Sequence, residues 1–140
     1  MNQRVLLDTG PLVALLDRND KYHGWAAGQW ARLQPPLWTC EPVLTEACYL
    51  LRQAPRGVKA VMELLHRGVV QTRFRLEEQV EPVSRLLAKY AQIPVSLADA
   101  CLVRMAELAP DAAVLTLDSD FRLYRKHSRQ VVPLLIPADV

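Results

Sequence analysis

Four acidic residues stand where solvated side chains are not expected. Asp8 ends the apolar run Val5-Leu6-Leu7, and Asp118 ends Ala113-Val114-Leu115-Thr116-Leu117. Both runs read as buried strands, and in open parallel sheets ligands bind beyond the carboxyl ends of strands. Taken singly, each of these acids also reads as a helix cap or the closure of a turn. Glu46 lies in Pro42-Val43-Leu44-Thr45-Glu46-Ala47-Cys48-Tyr49-Leu50-Leu51. Its helical neighbours three and four positions away are Pro42, Val43, Tyr49 and Leu50, so its side of the helix is expected to face the core. Asp99 repeats the pattern beside Val95, Leu102 and Val103, although Ser96 followed by Asp99 also matches a capping box.

Stripping water from an unpaired carboxylate costs on the order of several kcal/mol, so buried acids are paired with a base or bind a metal. No single lysine or arginine near Asp8, Glu46 or Asp118 in the chain serves all three. His23, His66 and His127 are widely separated, and Cys40, Cys48 and Cys101 form no CxxC pair, which argues against zinc. A donor set of oxygens alone selects hard ions, Mg²⁺ or Mn²⁺.

The elements that must carry these acids follow from periodicity and breakers. Strands are expected over Arg4–Leu7, Leu37–Cys40, Val69–Phe74, Ala112–Leu117 and Val131–Ile136. Helices are expected from Thr9, over about Tyr22–Leu33, Pro42–Arg52, Val58–His66, Leu76–Tyr90 (with Pro82 able to split it) and Ser96–Leu108. A further short helix is expected over Asp120–Lys126. Strands alternating with helices imply βαβ crossovers and a mainly parallel sheet covered on both faces, a three-layer α/β/α fold.

The chain has 140 residues, 51% of them hydrophobic and 23% charged, which suits one domain over residues 1–140 and excludes disorder as its main state. No apolar run reaches the roughly 18 residues of a membrane span, and the N-terminus lacks the pattern of a signal peptide, so a cytoplasmic protein is expected. The formal charge of +2 names no partner. Its distribution is more informative: Arg122, Arg125, Lys126 and Arg129 follow Asp118 closely and read either as a phosphate-holding strip or as a solvated face. Arg52, Arg56 and Lys59 form a second candidate strip, and Trp25, Trp30 and Trp38 are expected to pack in the core or at an interface.

The segments Val5–Asp17, Pro42–Leu51, Pro94–Ala100 and Leu115–Phe121 together resemble the PIN domain family, and most of all its compact VapC-like toxin ribonucleases. That resemblance implies a central five-stranded sheet and Mg²⁺- or Mn²⁺-dependent endonuclease action on RNA. By matching motifs, Asp8, Glu46, Asp99 and Asp118 take the catalytic and metal-binding positions. Thr9 and Thr116 are implied as supporting hydroxyls, and Asp120 as an outer contact or a cap. A cognate antitoxin and a homodimer are implied as partners. A PIN-like domain that binds RNA or protein without cleaving is the alternative. A phosphatase or phospho-acceptor domain fits less well, since Asp8 lacks the Asp-x-Asp of such phosphatases and no strand-end lysine stands out.

Overall fold

Short β-branched and leucine-rich runs alternate with helices along the computed structural model, which describes residues 3–140. The chain runs β1 (Val5–Leu7), α1 (Thr9–Leu16), α2 (His23–Arg32), β2 (Leu37–Thr39), α3 (Glu41–Leu50), α4 (Gly57–His66) and β3 (Val70–Thr72). A 3₁₀ turn over Leu76–Glu78 leads into α5 (Val80–Lys89), followed by α6 (Leu97–Leu108) and β4 (Ala113–Leu115). A second 3₁₀ turn, Ser119–Arg122, precedes β5 (Arg125–Lys126), β6 (Gln130–Val131) and β7 (Leu134–Leu135).

Five strands form one parallel sheet in the order β3-β2-β1-β4-β7, while β5 and β6 pair as a separate antiparallel ribbon. The register sets Leu6 against both Val114 and Trp38. The chain winds outward from β1 in one direction and returns through β4 in the other. The topological switch point therefore falls between β1 and β4, where an open α/β sheet forms its ligand crevice.

Alternation along the strands feeds two cores, as a period of two requires. Leu6 and Val114 join the buried face of α5 and α6, including Val83, Leu86, Leu102 and Ala106. Val5, Leu7, Leu37, Val70 and Leu115 pack with Leu12 and Val13 of α1, Ala47 of α3, Leu51 just beyond it and Val61 of α4. Helices thus cover both faces, which is the expected three-layer α/β/α architecture. Among the described residues no helix is long and apolar enough to cross a membrane.

Several boundaries differ from expectation for local reasons. The stretch Leu76–Tyr90 divides because the Pro82 ring excludes a helical carbonyl four residues earlier, at Glu78. Within α5 the same proline sits in the first turn, where its missing N–H costs no helical bond. The expected helix over Asp120–Lys126 is a 3₁₀ turn followed by the β5–β6 ribbon. The expected strand Val131–Ile136 is shared out, with Val131 in the ribbon and Leu134–Leu135 in the sheet. The strand expected over Val69–Phe74 pairs only at Val70–Thr72.

Candidate active site

Asp8 continues the β1 ladder through its N–H, which donates to Leu115 O at 3.1 Å, and then turns the chain into α1. It is the N-cap of that helix, with Oδ1 accepting from Thr9 N at 2.8 Å, so the capping expectation holds. Oδ2 has a different task. It accepts from Thr116 Oγ1 at 2.6 Å, and the same hydroxyl oxygen accepts from Asp118 N at 2.9 Å. One buried threonine thus ties the acid after β1 to the acid after β4. Asp118 in turn caps the 3₁₀ turn, with Oδ1 accepting from Asp120 N at 2.9 Å. Gly10 allows this closeness, because a Cβ there would lie 3.1 Å from Leu117 Cβ.

Asp99 enters from the first turn of α6 and is buried, at 8% exposure. The capping box is real, with Asp99 N donating to Ser96 Oγ at 3.0 Å. The carboxylate is also gripped by Tyr124, whose hydroxyl donates to Oδ2 at 2.7 Å. Glu46 departs from expectation. Its side chain is exposed rather than core-facing, because α3 buries Val43 and Ala47 and leaves Tyr49 and Leu50 in solvent. Apolar neighbours marked the wrong face as the inner one. The Glu46 carboxylate nonetheless leans to the same place, 3.5 Å from Thr9 Oγ1.

A cleft of about 410 Å³ gathers the carboxylates of Asp8, Glu46, Asp99, Asp118 and Asp120, with Thr9, Ser96, Leu50 and Leu117 in its walls. Among the described residues no arginine or lysine lines it. The ion pairs among the described residues, Arg56–Glu63, Arg75–Glu78, Arg85–Glu81 and Arg104–Glu107, all lie elsewhere. The electrostatic consequence is direct. Burial pushes Asp8 up to about 7, against the hydrogen bonds from Thr116 and Thr9, and the charges of Asp99 and Asp118 add to the rise. Asp99 is raised by burial, with Asp118 adding and the Tyr124 bond opposing. Glu46 is raised by burial and by Asp99, and Asp120 by burial and by Asp118. The acids face one cleft without closing into a cage: among the described residues no three His, Cys, Asp or Glu groups are drawn tightly enough to hold a metal ion.

The basic cluster has a mixed fate. Lys126 is buried, and its ammonium donates to Pro110 O at 2.9 Å, so it contributes no cation to a landing surface. Arg125 donates to Arg122 O and Tyr124 O, and Arg122 reaches Val140 O at 3.1 Å. Arg129 is exposed at the tip of the ribbon. Tyr124 is a residue that sequence reading passed over. It lies 25 positions from Asp99, and nothing in the local pattern distinguishes it from any core aromatic. Burial and the Asp99 carboxylate push its phenol well above the ordinary tyrosine range.

The crevice at the switch point thus offers carboxylate oxygens from four elements of the chain, two of them linked through a buried threonine. Compared with known protein families, the sequence matches the PIN domain over residues 5–127. The chain belongs to the PIN domain family. Among solved structures, this PIN domain is similar to VapC20 of Mycobacterium tuberculosis, described as a Sarcin-Ricin loop cleaving toxin. The two share 26% identity over 83% of this chain and 91% of that one, with a TM-score of 0.70. No curated protein matches the sequence. The protein is therefore a VapC-like PIN domain, and its acids lie where this fold places its crevice.

Proposed function

We propose that this PIN domain is an endoribonuclease dependent on Mg²⁺ or Mn²⁺ and the toxin of a type II toxin–antitoxin pair. The observation that carries the reading is the cleft itself: five carboxylates, no basic side chain in its lining, and a central aspartate raised to about 7. Negative charge concentrated without a protein counter-ion fits a hard divalent cation, and the donors are all oxygen. Asp8 and Asp99 would hold the ion, with Glu46 and Asp118 completing its surroundings and Asp120 further out. Bound there, the ion supplies Lewis-acid stabilisation of phosphate charge and a more acidic water.

The chain's own groups prepare that site. Thr116 fixes Asp8 and Asp118 relative to one another, and Thr9 does the same more weakly for Glu46. The α1 N-terminus orients Asp8 through the Thr9 amide. Arg122, Arg125 and Arg129 remain candidates to meet RNA phosphates, whereas Lys126 is committed to the fold. RNA as the substrate class is supported by the family and by the similar VapC20 toxin, and it is consistent with action in the cytoplasm. Exposed Tyr49, Leu50, Val58 and Met62 on α3 and α4 offer apolar surface for an antitoxin or for a second copy in a homodimer.

One observation favours the alternative, a PIN domain that binds without cleaving: the acids are not gathered into a ready cage. Mutual repulsion between like charges keeps such groups apart, and a cation's charge is what draws them together. Incubating RNA oligonucleotides, single-stranded and hairpin, with the protein separates the two readings. Cleavage by wild type with Mn²⁺ or Mg²⁺ is expected, with a loss on the order of 100-fold or more in Asp8→Asn and with EDTA. Binding without cleavage, or equal cleavage by Asp8→Asn, contradicts the assignment.

A further inference from the structure

We propose that Tyr124 is a positioning residue of this site, its hydroxyl holding the Asp99 carboxylate in the orientation that lets it share a cation with Asp8. The inference rests on the reading of Asp99 as a cation ligand given above and adds to it a residue outside the acidic set. Its geometry is unusually constrained. Tyr124 is fully buried, and its hydroxyl donates to Asp99 Oδ2 at 2.7 Å. A phenylalanine would fill the same space, so the hydroxyl contributes through that bond and not through packing.

The ring has little freedom to release its partner. Tyr90, at the end of α5, and Phe121, in the 3₁₀ turn, each meet it edge-on with centroids 5.1 Å away. The backbone on either side is pinned as well. Tyr124 N donates to Asp120 O at 3.3 Å, and Arg125 N donates to the Tyr90 hydroxyl at 2.8 Å. This same segment begins at Asp118, so one short stretch of chain supplies an acid of the cleft and also the clamp on another.

Asp99 needs such a clamp because a competing role is close by. Ser96 holds the residue within the capping box of α6. The Tyr124 bond fixes one carboxylate oxygen from a different part of the chain, independently of the cap. Outer partners of ligating carboxylates orient the ligand, and losing one typically lowers metal affinity about 10- to 100-fold.

Two hydroxyl deletions test the inference. Tyr124→Phe removes the bond to Asp99, and Tyr22→Phe removes a hydroxyl outside the cleft that donates to Asp139 Oδ2 at 3.3 Å. Mn²⁺ binding to each folded variant is measured by calorimetry, with thermal melts and RNA cleavage alongside and Asp99→Asn as reference. Mn²⁺ affinity about 10-fold or more weaker in Tyr124→Phe, with kcat reduced and KM for RNA unchanged, is expected. Tyr22→Phe should leave Mn²⁺ affinity and RNA cleavage as in wild type. If Tyr124→Phe binds Mn²⁺ like wild type while Asp99→Asn does not, the positioning role is overturned and the nuclease reading stands. If Asp99→Asn also binds like wild type, the assignment of Asp99 fails, and the inference falls with it.

Discussion

Asp8 divides its labour between two oxygens, and burial sets its titration against both bonds. Oδ1 caps α1 and Oδ2 accepts a hydrogen bond from the Thr116 hydroxyl, yet these bonds do not offset the cost of burial, and the acid is pushed up to about 7. The folded protein consequently holds this proton more tightly than the unfolded chain, whose aspartate titrates near 4. Stability from that protonation is complete below about pH 4 and is lost as the pH rises through 7. At about 1.4 kcal/mol per pKa unit, the loss is at most about 4 kcal/mol. Asp99 and Glu46 are raised as well and contribute with the same sign. The melting temperature of metal-free protein in EDTA should therefore fall between pH 5 and pH 8, and Asp8→Asn should flatten the fall. An equally steep fall in Asp8→Asn would mean that other groups carry it. At this scale the acids at strand ends were legible, because a strand followed by Asp marks both a cap and a crevice. The outward face of Glu46 was not, since apolar Tyr49 and Leu50 usually signal burial and here do not. The Tyr124–Asp99 and Lys126–Pro110 contacts join residues far apart in sequence, which no local pattern records.

Among the elements, the β5–β6 ribbon carries the most backbone strain. Its turn sets His127 and Ser128 at φ 49° and 69°, a left-handed region that costs a non-glycine residue about 1 kcal/mol or more. Tertiary bonds hold it there: His127 N donates to Glu107 Oε2 at 2.7 Å, and Lys89 Nζ reaches Ser128 O at 3.1 Å. Ser128→Gly keeps the carbonyl that Lys89 binds and relieves the strain. It should stabilise the protein by about 0.5–1 kcal/mol, read as a higher urea midpoint with unchanged slope. A lower midpoint would show that the strain is not borne at this residue. The ribbon was also the element that sequence reading mistook, with a helix expected across Asp120–Lys126. Two-residue strands are too short for alternation to show, and their pairing is fixed by those distant contacts. The long helices were legible because Pro11, Pro42 and Ser96 mark their starts and Pro35 closes the second.

For the whole molecule, alternating strands and helices make the three layers readable in the sequence, and the crossover rule makes the sheet parallel. The neighbours of each strand were not readable, and the site depends on them. The β3-β2-β1-β4-β7 order brings the ends of β1 and β4 side by side, so that Thr116 can bridge Asp8 and Asp118. The helices then bring Asp99 and Glu46 to the same crevice from α6 and α3. The central claim is that this convergence serves one divalent cation. Crystals soaked in Mn²⁺ and measured for its anomalous signal test it most directly. The account predicts a peak within coordinating distance of Asp8 and Asp99, absent in Asp8→Asn. A manganese peak bound elsewhere, or an empty cleft at millimolar Mn²⁺, would contradict it.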